Sequence, residues 1–175
     1  MPLAPRGYES VHIEALGALA ERQPVANVYA TFVKSPLLFR KFSPFANYIL
    51  NRSSLTRRQR EMLIIRVGQA NGCDYELSKH VPAGRNAGLR ENEIGALLGD
   101  DGAAGVAWPP EEITLIRVVD ELVASHSVSD ATWTDLASQF TEAQIIDILF
   151  TAGAYNLVSW ALNAMHVQLD GTPEA

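Results

Sequence analysis

The sequence predicts an all-α protein, a helical bundle folded as a single domain over 1–175, and three observations carry that expectation. Apolar residues recur at intervals of three and four along nearly the whole chain. No stretch alternates apolar and polar residues between Asn-Gly or Asp-Gly turns, as paired strands would. The chain has 175 residues, 47% of them hydrophobic, which furnishes one sizeable core and argues against both disorder and a multi-domain layout.

Taken in order, the periodicity and its punctuation place helices near 9–22, 25–34, 36–50, 56–71, 74–87, 91–98, 110–125, 130–138, 141–156 and 158–168. Thr56-Arg-Arg-Gln59 and Thr141-Glu-Ala-Gln144 read as capping boxes: the Thr hydroxyl takes one free amide of the first turn and the Gln reaches back to another. Gly88 and Gly99 follow periodic runs, where a left-handed stop is expected. Pro110-Glu111-Glu112 opens a helix, with a ring preset for its first turn and carboxylates against the positive end of the dipole. The glycine-containing segment 100–109, running into Pro110, reads as a linker joining two helical lobes.

Those lobes look related. An offset of 85 residues lays Thr56 on Thr141, Gln59 on Gln144, Gly68 on Gly153, Asn71 on Asn156 and Leu77 on Leu162. The expectation is therefore two related helix hairpins, a core hairpin over 55–88 and a second over 140–169, each turning at its Asn. Opposite Glu61, Glu76 and His80 the second copy has Ile146, Ala161 and Met165, so the hairpin itself does not demand the polar groups of the first.

Charge and composition exclude several classes of function. With 14 Lys and Arg against 20 Asp and Glu, the net charge of −6 offers no positive field for nucleic acid or an anionic membrane. The single cysteine closes no disulfide within the chain and, with four scattered histidines, makes no thiolate-rich zinc site; a reducing cytoplasm fits best. The opening MPLAPRGYESVHIEALG lacks the basic start and apolar run of an export signal. Ile148 to Leu169 carries no Asp, Glu, Lys or Arg, but Asn156, Ser159, Asn163, His166 and Gln168 interrupt it, so it reads as a buried helix pair rather than a membrane span.

Reactive side chains gather in one place, from Glu61 to His80. Counted from Cys73, Glu76 and His80 fall at about 300° and 340° around a helix, so the three share one stripe. Cys73 follows the turn signal Asn71-Gly72 and should stand at a helix N-terminus, where free amides and the dipole lower a thiol pKa. Glu61 shares the apolar side of its helix with Ile64, Ile65 and Gly68, so it is a carboxylate facing inward, and Cys73 or His80 is its natural partner across an antiparallel hairpin. The plainer readings are a buried cysteine, a surface Glu76–His80 pair, and a Glu61 bent outward to Arg57 or Arg58.

The remaining candidates are weaker. His12, His126 and His166 are isolated and read as capping or packing residues. Glu76 and His80 offer two metal ligands at i, i+4 but no third or fourth, and no phosphate-binding loop is present, so neither metal nor cofactor is expected. Arg52, Arg57, Arg58 and Arg60 read as a solvated helix face, and the tryptophans and the Phe32–Phe45 series as core or subunit contacts.

The stretch LTRRQREMLIIRVGQANGCDYELSKHVPAGRNAGLRENEIGALL resembles the core segment of the carboxymuconolactone decarboxylase and alkylhydroperoxidase D superfamily, and the rest of the chain resembles its longer stand-alone members. The resemblance implies an all-helical fold of the alkylhydroperoxidase D-like type, assembled as trimers or hexamers. In the alkylhydroperoxidase branch a glutamate, a Cys-x-x-Cys pair and a histidine form a proton relay; Glu61, Cys73 and His80 match the first, second and last of these, while Glu76 stands where the second cysteine would be. Glu76-Leu77-Ser78-Lys79-His80 instead matches the Glu-Leu-x-x-x-His pattern of the decarboxylase branch, which does not require Cys73. The catalytic candidates are thus Glu61, Cys73, Glu76 and His80.

Three functions follow as expectations. The first is cofactor-free decarboxylation or proton transfer on a small unsaturated lactone or carboxylate, with His80 delivering the proton and Glu61 or Glu76 orienting it. The second is a thiol peroxidase in which Cys73 attacks a hydroperoxide and an external thiol resolves the sulfenic acid. The third is a helical homo-oligomer without enzymatic activity. An apolar chain of many short helices is expected to cover its remaining surface with copies of itself.

Overall fold

The helix Arg57–Ala70 is buried at every position from Glu61 to Gly68, and the rest of the chain is arranged around it. Met62, Leu63, Ile64, Ile65 and Val67 are each 1% exposed or less, and full burial of one such side chain contributes roughly 1.5–3 kcal/mol. The computed structural model describes residues 9–22 and 24–171. In chain order they form α1 (Ser10–Leu16), a 3-10 turn (Gly17–Glu21), α2 (Asn27–Phe32), α3 (Pro36–Asn51), α4 (Arg57–Ala70), α5 (Asp74–Asn86), α6 (Glu91–Leu97), α7 (Pro110–Ser125), α8 (Asp130–Gln139) and α9 (Glu142–Ala164), with no strand among the described residues. Residues 1–8, on which part of the export-signal reading rests, lie outside them.

Two core clusters flank α4. Leu63, Ile64 and Val67 pack with residues of α7, α8 and α9; Met62 and Ile65 pack with Leu89, Ile94, Leu97, Trp108 and Ile116. The segment 100–109 therefore connects helices of one core, not two lobes. It folds over Arg66, a buried guanidinium that pairs with Asp120 at 2.6 Å and donates to the carbonyls of Leu97, Gly99 and Asp100. Gly99, whose carbonyl is turned to Arg66, is not in the left-handed region expected of it, whereas Gly88 is, at φ +92°.

Both capping boxes form. Gln59 N–H donates to Thr56 Oγ1 at 3.2 Å and Gln144 N–H to Thr141 Oγ1 at 3.3 Å, with each Gln side chain accepting from the Thr amide. α7 starts at Pro110 as expected. His126 and His166 end helices in the left-handed region and His12 belongs to the cap of α1, so the isolated histidines cap or pack.

The second hairpin does not form: α9 runs unbroken through Asn156, where a turn between 141–156 and 158–168 is expected. The first hairpin turns at Gly72 with φ +56°, a conformation open to glycine. At the matching place the second copy has Leu157, and the helix continues. Asn156 instead bonds across to its counterpart, with Asn71 Nδ2 donating to Asn156 Oδ1 at 2.8 Å. About half of the apolar length of α9 is buried against the rest of the chain.

Candidate active site

The α4–α5 hairpin positions the site. A Cβ on Gly68 would meet Leu77 Cδ2 at 3.1 Å, so a glycine there lets α5 lie close against α4. That antiparallel approach brings His80, near the middle of α5, against Glu61 in the first turns of α4. His80 Nδ1 lies 2.7 Å from Glu61 Oε2, and Glu61 is 3% exposed. The inward orientation expected from the helix arithmetic is what the structure has, and of the two partners considered for Glu61 it is His80.

Glu61 is also held from its other side. Arg60 donates from Nε and Nη2 to Glu61 Oε1 at 3.2 and 3.0 Å. Burial pushes the Glu61 carboxyl up, but His80 and then Arg60 outweigh it, leaving it below the ordinary carboxylate range. With Nδ1 engaged by a charged acceptor, Nε2 is the ring nitrogen left for chemistry. It lies 3.4 Å from Glu76 Oε2, which is buried without a hydrogen-bond partner. The ring of Tyr155 on α9 meets His80 edge-on, with centroids 5.0 Å apart.

Glu76 and His80 open on a cavity of about 630 Å3 between the N-terminal helices and α5 and α9. Its walls are mostly apolar, with Tyr29, Phe32, Phe39, Phe42 and Val158 among them, and Arg22, Asn47 and Lys79 supply polar edges. Asp170 fastens one side. It pairs with Lys79 and accepts from Asn27 N–H at 2.7 Å and from Tyr75 OH at 3.0 Å, tying α2 and the end of the chain to α5. Among the described residues no group of three or more His, Cys, Asp or Glu side chains has the geometry of a metal site.

Cys73 departs from the expectation of an activated thiol. It is the N-cap residue of α5, but it is 0% exposed, packs with Tyr75, Val158 and Leu162, and does not line the cavity. Burial pushes its thiol up, and the amides of Glu76 and Tyr75 and the Ser159 hydroxyl oppose this without overcoming it. Asp74 in the first turn sets negative charge against the dipole that was to lower it.

The basic run is likewise more than a solvated face. Arg58 donates to Glu93 and Glu112, both buried, and Arg60 serves Glu61. Arg60, Tyr155 and Asp170 are the site residues that sequence reasoning missed. Arg60 had a signal, since an inward carboxylate needs a nearby cation; Tyr155 and Asp170 reach the site only through tertiary packing.

An all-helical protein in which a buried carboxylate holds an imidazole that lines a mostly apolar cavity is the class this geometry defines. The family model for the carboxymuconolactone decarboxylase family matches residues 36–121, a span that contains Glu61, Cys73, Glu76 and His80. An uncharacterised Bacillus subtilis (strain 168) protein, YdfG, is 28% identical over 117 residues, covering 62% of this chain and 73% of its own. An uncharacterised peroxidase-related protein from Silicibacter sp. TM1040 superposes with a TM-score of 0.79 at 18% identity, over 97% of this chain and 90% of the other. The alkylhydroperoxidase AhpD core of an uncharacterised peroxidase-related protein from Ralstonia eutropha JMP134 gives 0.77 at 20% identity, over 98% and 94%. Residues 36–121 thus match the carboxymuconolactone decarboxylase family, and the fold is the all-helical one of the alkylhydroperoxidase D-like structures.

Proposed function

We propose that the protein is a cofactor-free enzyme that transfers a proton to carbon on a small unsaturated carboxylate or lactone, with loss of carbon dioxide as the coupled step. The observation that carries this reading is the chain Arg60–Glu61–His80, which ends at an imidazole facing the cavity while Cys73 is sealed away from it. Loss of carbon dioxide leaves an electron-rich carbon that must be protonated. His80 Nε2–H supplies that proton, Glu61 stabilises the imidazolium before transfer, and solvent returns the proton afterwards. A thiol peroxidase needs Cys73 Sγ at the substrate, which its burial opposes.

The test pairs two assays with two variants. Unsaturated lactone carboxylates are assayed for carbon dioxide release, and an organic hydroperoxide for turnover with added dithiol. The expected result is decarboxylation that survives Cys73→Ser and falls by roughly two to four orders of magnitude in His80→Ala. Hydroperoxide turnover abolished by Cys73→Ser, with no carbon dioxide released by the wild type, would overturn the reading in favour of the peroxidase.

We also propose that the enzyme works as a homo-oligomer joined through α9. Ile146, Phe150, Leu157 and Trp160 are 55–58% exposed, and with Gly153 they follow one another at spacings of four, three, four and three, the seam of helix-on-helix packing. They leave roughly 400–500 Å2 of apolar surface, about half of what a standard interface buries per partner. A second copy of the same stripe supplies the matching knobs and holes. Light scattering is expected to exceed the 19.1 kDa chain mass and to fall to it in Phe150→Asp/Leu157→Asp. A wild-type monomer at micromolar concentration, or sedimentation with neutral lipid vesicles, would refute the pairing.

A further inference from the structure

Two carboxylates flank one imidazole, and they are served unequally. Glu61 accepts two Arg60 donors on one oxygen and meets His80 on the other. Glu76 is 5% exposed, lines the cavity, and its Oε2 has no hydrogen-bond partner; His80 Nε2, at 3.4 Å, is beyond good hydrogen-bond range. The groups around it are Glu61 on α4, Cys73, Tyr75 and His80 at or on α5, and Tyr155 on α9, and Arg22 and Lys79 line the same cavity. His80 is hydrogen-bonded to Glu61 and Lys79 is paired with Asp170, so a negative charge on Glu76 has no hydrogen-bonded cation of its own. Such a charge costs several kcal/mol, and the group takes up a proton instead.

We propose that Glu76 works as a neutral carboxylic acid whose Oε2–H holds the oxygen of an enolate-forming ligand, a conjugated carbonyl compound with an apolar body, while His80 handles the proton on carbon. This rests on the proton-transfer reading above and names the substrate class for it. Burial pushes the Glu76 carboxyl up and the charge of Glu61 adds to this, against the opposing pull of His80. An acid kept neutral by an apolar site is a strong donor to an oxygen that gains charge, because no water competes and no dipole must reorganise. The cavity of about 630 Å3 has the apolar walls for the ligand body, with the buried Glu76 in its lining beside His80.

The step balances. The bond from carbon to the carboxylate breaks and releases carbon dioxide, and its electron pair moves through the conjugated system onto the carbonyl oxygen. That enolate oxygen accepts a hydrogen bond from Glu76 Oε2–H, which keeps its proton. His80 Nε2–H then protonates the carbon, the carbonyl re-forms, and water reprotonates the ring. The net change consumes one proton and one carboxylate and gives carbon dioxide and the protonated product.

Two measurements test this. In protein labelled with 13C at the glutamate carboxyls, the resonance lost in Glu76→Gln is expected at the position of a protonated acid at neutral pH; a resonance already ionised there overturns the proposal. The second uses 4-nitrophenolate as an enolate-like probe, read by its absorbance and by competition. Glu76→Ala is expected to weaken binding by about tenfold or more, and Glu76→Gln, whose amide also donates, to recover it to within about threefold of wild type. Equal loss in both variants, with thermal stability retained, overturns the proposal, because it would mean that the carboxylate form is needed. A protonated Glu76 with this binding pattern and no decarboxylation supports the assignment of Glu76 and defeats the proton-transfer reading alone.

Discussion

Arg58→Met isolates the ion network that clamps α4 to its neighbours. Arg58 makes five hydrogen bonds: 2.6 and 2.9 Å to Glu112, 2.9 and 3.0 Å to Glu93, and 2.9 Å to the carbonyl of Gly88. Glu93 and Glu112 have side chains only 2% and 9% exposed, so deleting the guanidinium leaves carboxylates that water cannot serve. Breaking a buried pair from one side costs about 3–5 kcal/mol; the lower end applies, because Arg90 still reaches Glu93 at 2.6 Å. Arg58, with Arg90 adding and burial opposing, holds the Glu93 carboxyl down from 4.5 to about 2. That depression is a stability term of about 3 kcal/mol, fully present above the unfolded value and lost as pH falls from about 4.5 towards 2. Urea denaturation of both proteins at pH 7, 5.5 and 4 reads it out. At pH 7 the variant is expected to lose about 3 kcal/mol, or about 6–12 °C in Tm for a chain of this size. The gap should narrow towards pH 4, as the uncompensated carboxyls of the variant protonate first. A loss below about 1 kcal/mol, or a gap of equal size at pH 7 and pH 4, would refute the clamp.

Two further outcomes are expected. Asp147 accepts from Ser54 N–H and Oγ–H at 2.6 and 2.7 Å and from Tyr48 OH at 2.9 Å, so Asp147→Ala should cost about 2–3 kcal/mol by orphaning the Ser54 amide. Burial pushes that carboxyl up, but the Ser54 and Tyr48 bonds outweigh it and hold it low; its contribution should therefore persist at neutral pH and fade below the ordinary aspartate range, which an acid titration of Tm checks. Gly84→Ala would place a Cβ 2.8 Å from Ile65 Cδ1 and 2.9 Å from Leu89 Cδ1, and a loss of about 1–3 kcal/mol in denaturant midpoint is expected; an unchanged midpoint would mean that these side chains give way freely.

Most of the fold was legible because local and tertiary signals agree along this chain. The two Thr-x-x-Gln boxes, Gly88 and Pro110 each act within a turn of themselves, so the helices they bound lie where the sequence puts them. Glu61 was legible for a related reason: its spacing from Ile64, Ile65 and Gly68 puts it on the side of α4 that carries those residues. Arg58 and Arg66 were not, since an arginine on a helix looks the same from the sequence whether it meets water or a carboxylate of another helix. The partners that decide it, Glu93, Glu112 and Asp120, are 35 to 54 residues away.

Cys73 and Asn156 failed for a subtler reason, which bears on the site itself. In both, a correct local signal was given a consequence that depends on its neighbours. Cys73 does stand at the N-cap of α5, yet full burial around it outweighs what that position does for the thiol. Asn156 does match Asn71, and the two side chains do meet, but the residue after it is Leu157 where the first copy has Gly72, so one copy turns and the other runs straight. The turn is what creates the site. Because the chain reverses at Gly72, α5 folds back along α4 and carries Glu76 and His80 to Glu61; because it does not reverse at Leu157, α9 stays straight enough to lay Tyr155 against His80 and to present Ile146, Phe150 and Trp160 outward along one face. Among the many differences between the two stretches, glycine against leucine at the turn position marks where the helix pair that holds the reactive groups parts from the helix that backs them.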